Sequence, residues 1–192
     1  MDRFDAFRTG NTPEESTSMV ADIESKYGHE PNIIEGIKRS PQLLRSYVNL
    51  SEAFERTSLT PEEQQIVLLT VSRFNECEYC TSVHSLTAEQ TDLEWNTVER
   101  IRNRESLEDE RHEALRTFTE HVVNNAGHVP HDVFTRFKSA GFDERNALDV
   151  IVGVTLKTLT NTSNHLMDTP LDEQFEKRRW SAEATESRAA TA

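Results

Sequence analysis

Both cysteines of this 192-residue chain fall in one short segment, Asn75-Glu76-Cys77-Glu78-Tyr79-Cys80-Thr81-Ser82-Val83-His84. If the segment is helical, Cys77, Cys80 and His84 stand at i, i+3 and i+7 and share one face. Two thiols one turn apart can close a small-loop disulfide. His84 is within reach of the Cys80 sulfur, directly or through one water. Asn75 is read as the cap, which would put Cys77 in the first turn with Cys80 close behind. The partial positive charge of that turn favours a thiolate, as does an adjacent imidazolium. Thiols so placed have pKa values of roughly 3.5–7.5 rather than about 8.5. Glu76 and Glu78 work against this, because carboxylates beside Cys77 raise its pKa.

Thiol redox chemistry is the reading these residues favour, with inert buried cysteines or a metal site as alternatives. A closed zinc site needs four ligands and the cluster supplies three, so no metal and no cofactor is expected. A c-type haem site would need His directly after Cys80, where Thr81 stands, and a thioredoxin fold would need strands. The remaining histidines are less informative. His165 follows Asn161 by one turn at the end of an apolar helix. If that helix packs on the cysteine helix, Asn161 and His165 become outer partners of the dithiol, with a capping or core role as the alternative. His128 and His131 straddle Pro130 in a loop, and His112-Glu113 lacks a second His because Arg116 stands there. Tyr79 is expected to pack rather than react, Trp95 to join the bundle, and Trp180 to close the last helix.

The elements that must position these groups read as helix after helix. Ser40-Pro41 caps and starts a helix to about Arg56, with Leu43, Leu44, Tyr47, Val48 and Phe54 at helical spacing. Thr60-Pro61-Glu62-Glu63 is a capping box that opens Ile66, Val67, Leu68, Leu69, Val71 and Phe74. That run is apolar nearly all round, as in the middle of a bundle. Ser106 with Asp109 starts a helix through Leu115, Phe118 and Val122 that stops near Asn124-Asn125-Ala126-Gly127. Asp143 caps Ala147, Leu148, Ile151, Val152, Leu156 and Leu159. Shorter helices are expected around 13–27, 31–39, 93–104 and 131–139. With no hairpin signal and no sustained alternation, the fold class is all-α, a helical bundle.

Length and composition bound the rest. A chain this long is one domain by default, and two cysteines exclude a disulfide-dense scaffold. Lys plus Arg number 21 and Asp plus Glu 34, a net charge of −13. That field repels phosphate backbones and anionic lipid, so neither nucleic acid nor membrane is expected as a partner. No stretch approaches the roughly 18–20 apolar residues of a membrane span, and the acidic N-terminus lacks a signal-peptide apolar region. A cytoplasmic, reducing location is the expectation. Apolar residues are only 35% of the chain, partly because both ends are polar. The expected organisation is an N-terminal extension over 1–12, in which Phe4 and Phe7 could dock on a neighbour, a helical domain over 13–180, and a flexible tail over 181–192.

The segment from Leu59 to His84 resembles the core of the alkylhydroperoxidase AhpD-like group of the carboxymuconolactone decarboxylase superfamily. An apolar helix ending in Val71-Ser72 is followed by Asn-x-Cys-x-Tyr-Cys-x-x-x-His, and the likeness extends loosely from Pro41 to His165. The resemblance implies an all-α fold in homo-oligomers, trimers or hexamers, with a dimer also open. It implies a thiol-dependent peroxidase acting on hydroperoxides. Cys80 would be the peroxidatic thiol, Cys77 the resolving thiol that closes a Cys77–Cys80 disulfide, and His84 the group that takes the Cys80 proton, through a water. A dithiol reductant, dihydrolipoyl or thioredoxin-like, would recycle the disulfide. One position departs from the pattern. Twelve residues before the first Cys, where the group carries a Glu in the proton relay, this chain has Gln65. An amide can orient water but cannot accept and return a proton, so slower turnover, or a relay that runs through solvent, is expected. Other readings of the same residues are a thiol–disulfide oxidoreductase or redox sensor without peroxide turnover, and a non-enzymatic oligomeric binding protein.

Overall fold

A computed structural model describes residues 3–182. Ten α-helices follow one another: α1 (Arg3–Arg8), α2 (Glu14–Tyr27), α3 (Asn32–Ile37), α4 (Pro41–Glu55), α5 (Pro61–Phe74), α6 (Glu78–Ala88), α7 (Trp95–Asn103), α8 (Glu110–Asn124), α9 (His131–Ser139) and α10 (Glu144–Met167), and a 3-10 helix, Glu173–Arg178, ends the order. No strand occurs among the described residues, so the fold is all-α. No helix among them is long and apolar enough to cross a membrane. Residues 183–192 of the expected tail lie outside the described residues.

Helix starts follow local chemistry. The Ser40 hydroxyl accepts from Leu43 N at 3.3 Å, with Pro41 in the first position. Thr60 and Glu63 exchange both bonds of a capping box, at 2.9 and 3.3 Å, as do Asp143 and Asn146, at 2.8 and 2.9 Å. Two sequence expectations are corrected. The helix α8 begins at Glu110, not near Ser106: Asp109 accepts from His112 N at 2.8 Å, while Leu107 N donates to Glu113 in the preceding loop. The helix α10 continues through His165, where the sequence places its end, to Met167, and its polar residues Thr160, Asn161 and Asn164 are buried against other helices. Trp180 lies beyond the last helical turn. It is buried, with its backbone N–H donating to Ser82 Oγ at 2.9 Å and the Arg73 guanidinium 4.6 Å from its ring.

Two apolar clusters divide the interior. The larger joins α5 to α7, α8, α9 and α10 through residues such as Ile66, Leu69, Leu115, Phe137 and Val150. At the centre of the bundle, α5 buries ten of its fourteen residues. The smaller cluster gathers Phe4, Ile23, Ile33, Ile34, Ile37, Leu44 and Met167 around Cys77, Tyr79 and Cys80. Phe4 of α1 is 2% exposed in it, and a side chain so buried contributes roughly 1.5–3 kcal/mol. The segment after α10 straps this cluster to α6. Asp172 accepts from the Tyr79 hydroxyl at 2.7 Å and from Asn32 N at 3.0 Å, and Lys177 and Arg178 both pair with Glu89.

Close approach of α10 to α4 and α5 depends on Gly153. A Cβ there would lie 2.7 Å from both Phe54 Cε2 and Val67 Cγ1, neither of which can move without opening the core. Gly153→Ala is expected to destabilise the chain by about 1–3 kcal/mol, read as a lower midpoint in urea unfolding. Gly36→Ala should cost less, because the added Cβ meets the flexible end of Met167.

Candidate active site

The turn between α5 and α6 sets the position of the two thiols. Asn75 ends α5 rather than starting α6, Glu76 takes the left-handed conformation at φ 54°, and Cys77 is itself the N-cap of α6. This corrects the expectation that Asn75 is the cap and Cys77 lies in the first turn. Cys77 N reaches back to Ser72 O at 2.9 Å, which closes the end of α5. An N-cap side chain folds toward the N–H of the third helical residue, and in α6 that residue is Cys80. Cys77 makes no such side-chain bond, and its sulfur and that of Cys80 instead face the same Asn164 amide, at 3.9 and 3.2 Å. Both thiols are free, and they are 1% and 3% exposed.

The opposite wall is α10. Asn164 Nδ2 donates to Cys80 Sγ at 3.2 Å and stands 3.9 Å from Cys77 Sγ, and Thr160 Oγ1 lies 3.9 Å from Cys80 Sγ. Lys157, one turn earlier, is 3% exposed and lines the same cavity as Cys80. Its Nζ is 2.9 Å from His84 Nε2, and His84 Nδ1 is 3.2 Å from Gln65 Oε1 of α5. With Gln65 presenting its oxygen, Nδ1 carries the imidazole proton and Nε2 accepts from Lys157.

These contacts divide the two thiols. Burial pushes Cys80 up, but the thiol of Cys77, the Lys157 ammonium and the Asn164 amide outweigh it, so its pKa lies well below the ordinary thiol value. Cys77 is raised, because it donates to Cys80 and is buried. The first-turn dipole of α6 acts in favour of the Cys80 thiolate. Glu76 and Glu78 have other partners: Glu76 pairs with Arg104 at 3.2 Å, and Glu78 accepts from Ala182 N at 3.3 Å. Burial first, and then the Lys157 charge, hold His84 well below its ordinary pKa. It is a neutral imidazole at neutral pH.

A cavity of about 370 Å³ opens over Cys80. Gln65, His84, Lys157, Thr160 and Asn164 line it beside Cys80, and Phe54, Leu68, Leu156 and Phe175 supply apolar wall. All three tyrosines of the chain, Tyr27, Tyr47 and Tyr79, also line it. Phe175 meets Tyr79 edge-on at 6.3 Å, so the 3-10 helix forms part of the rim.

Of the residues singled out from sequence, Cys77, Cys80, His84 and Gln65 come together here. Asn161 is buried but bonds Asn75 Nδ2 at 2.9 Å, tying the turn to α10 without touching sulfur. His165 is exposed. It is rotated by about 80° from Lys157 around the helix, outside the buried arc. Lys157, Thr160 and Asn164 were missed. Their signal was polar residues at i, i+3 and i+7 within an apolar helix, the same spacing that marks the cysteines and His84. Among the described residues no group of three or more His, Cys, Asp or Glu side chains could hold a metal ion.

No family model matches the sequence, and no curated protein matches it. Solved structures do match. A peroxidase-related protein from Silicibacter sp. TM1040 is 16% identical, with 89% of this chain and 92% of that chain covered and a TM-score of 0.76. A peroxidase-related protein from Ralstonia eutropha JMP134, an alkylhydroperoxidase AhpD core, is 19% identical, with 86% and 93% covered and a TM-score of 0.73. The debrominase Bmp8 in its apo form is 18% identical, with 86% and 90% covered and a TM-score of 0.71. The fold of this chain is thus the AhpD-like all-α fold.

Proposed function

We propose that the chain is a thiol-dependent peroxidase that reduces organic hydroperoxides, with Cys80 as the attacking thiol and Cys77 as the resolving thiol. One observation carries the reading. Cys80 Sγ, with a lowered pKa and an amide donor at 3.2 Å, faces a cavity large enough for an organic substrate, and a second thiol stands at the N-cap position of the same helix. The Cys80 thiolate attacks a peroxide oxygen, the O–O bond breaks, and sulfenic acid forms. Cys77 then displaces that oxygen as water and closes the disulfide. An external dithiol, dihydrolipoyl or thioredoxin-like, would reduce it by exchange. Homo-oligomer assembly belongs to the same proposal, and sedimentation velocity of the purified chain measures it.

Stopped-flow oxidation by hydrogen peroxide and by a bulky organic hydroperoxide tests the reading, with mass spectrometry for the product. The expected result is rapid formation of one Cys77–Cys80 disulfide per peroxide, faster with the organic substrate. Oxidation no faster than that of a free thiol would remove the peroxidase reading. Gln65→Glu gives a finer check. A carboxylate at His84 Nδ1 favours the imidazolium and raises the His84 pKa, so the pH–rate profile is expected to move and the rate to change by up to about tenfold. An unchanged profile would count against any part for Gln65 in proton handling.

A second reading follows from the tyrosines and phenylalanines around the cavity, which suit a flat ring. Among the solved structures with this fold, the debrominase Bmp8 is seen, as a cysteine-to-alanine variant, in complex with 2,3,4-tribromopyrrole. Bromide release from a brominated pyrrole in the presence of a dithiol would support thiol-driven dehalogenation here; none, with fast peroxide reduction, would leave the peroxidase alone.

A further inference from the structure

We propose that Lys157 donates the proton to the oxygen leaving Cys80, and that His84 aims it. The inference rests on the peroxidase reading and assigns a role to a residue that the resemblance did not mark. Lys157 is 3% exposed, and among the described residues its side-chain hydrogen bond goes to the His84 imidazole and not to a carboxylate. A buried ammonium without a counter-charge is costly. Its hydrogen-bond partner is His84 Nε2 at 2.9 Å, and it lines the same cavity as Cys80, so the counter-charge available to it there is the Cys80 thiolate, which its own charge favours. The imidazole cannot take that part. Its Nδ1 proton is committed to Gln65 Oε1 at 3.2 Å, and its Nε2 lone pair already accepts from the ammonium. Gln65 and His84 together hold Lys157 Nζ over the cavity floor, in the role a carboxylate and imidazole would otherwise share.

The proton count closes over one turnover. In the resting site Cys80 is a thiolate, Lys157 an ammonium and Cys77 a thiol. The thiolate attacks ROOH, the O–O bond breaks, Cys80 becomes the sulfenic acid and RO⁻ leaves. Lys157 protonates RO⁻ to ROH and becomes an amine. It then takes the Cys77 proton, the Cys77 thiolate attacks the Cys80 sulfur, and the S–O bond breaks. The departing hydroxide receives the proton from Lys157 and leaves as water. The disulfide is now formed and Lys157 is again an amine. An external dithiol supplies two electrons and two protons by exchange; Cys77 keeps one proton, and Cys80 passes the other to Lys157, which restores the ion pair.

The test separates proton donation from thiolate stabilisation by the leaving group. Alkoxide from tert-butyl hydroperoxide needs a proton, whereas acetate from peracetic acid leaves without one. Lys157→Arg keeps the positive charge but is a poor acid at neutral pH. For Lys157→Arg the expected result is a fall of about 10²-fold in Cys80 oxidation by tert-butyl hydroperoxide, with peracetic acid slowed by less than about threefold. Lys157→Met should lose the thiolate absorbance as well and slow with both oxidants. Circular dichroism checks that each variant folds. Equal slowing of Lys157→Arg with both oxidants, or slowing with neither, overturns the donor role while leaving the peroxidase reading intact. Wild-type chain that reacts with both oxidants only as a free thiol does would overturn the peroxidase reading, and this inference with it.

Discussion

Cys80→Ser is expected to abolish peroxide consumption, a loss on the order of 10³-fold or more, or at least about 4 kcal/mol of barrier. The reason is chemical. A serine hydroxyl has no accessible anion near neutral pH and forms no sulfenic acid, so Lys157 and Asn164 would have no nucleophile to stabilise. Cys77→Ser should behave differently. Serine is a favoured N-cap, so α6 keeps its start and the fold is preserved. Cys80 should still be oxidised once, but its sulfenic acid has no resolving thiol. The expected readout is one equivalent of peroxide consumed, a sulfenic acid trapped by dimedone, and no steady-state turnover with dithiol. The opposite pattern, with trapping in Cys80→Ser and loss in Cys77→Ser, would reverse the two roles. Turnover in both variants would mean that the thiols are incidental and would favour a binding protein.

Asn164→Leu carries the second large effect. The amide donates to Cys80 Sγ at 3.2 Å, and a hydrogen bond to a charged group contributes about 1.5–3 kcal/mol. Its removal should raise the Cys80 pKa, because the thiolate loses a donor that the thiol does not need. The sign follows from the ionised state being the reactive one. Because the folded Cys80 pKa is lowered, wild-type rate should already be full below the ordinary thiol range and fall only as pH drops through the lowered value. In Asn164→Leu that acid limb moves upward, so the rate loss is largest at low pH and shrinks as pH rises. Stability should suffer little, because Asn164 Oδ1 has no hydrogen-bond partner and its burial already counts against the fold. A uniform loss across pH would indicate misplacement of the thiol rather than a lost donor. Thiolate absorbance against pH distinguishes the two.

Much of the fold was legible along the chain because its signals are local. Ser40, Thr60 and Asp143 lie next to the helices they cap, and the apolar run from Ile66 to Val71 marks a helix buried nearly all round. The start of α8 was misjudged because Ser106 and Asp109 both suit a cap, and the choice was made by Glu113 folding back to Leu107 N. The role of Asn75 was misjudged for a related reason. Its side chain bonds Asn161 of α10, eighty-six residues away, a partner that no local pattern announces.

The sequence by itself determined that this chain is helical, that its thiols form a pair three residues apart, and that His84 accompanies them. Spacing along one helix decides which side chains share a face. Tertiary structure alone decided what faces that pair. Lys157, Thr160 and Asn164 come from α10, and Gln65 comes from α5. Burial removes the water that would screen their charge and hydrogen bonds. Which cysteine ionises, which group holds the proton and what size of substrate fits are set by contacts between helices distant in sequence. The spacing of one helix cannot encode the rotation of another against it.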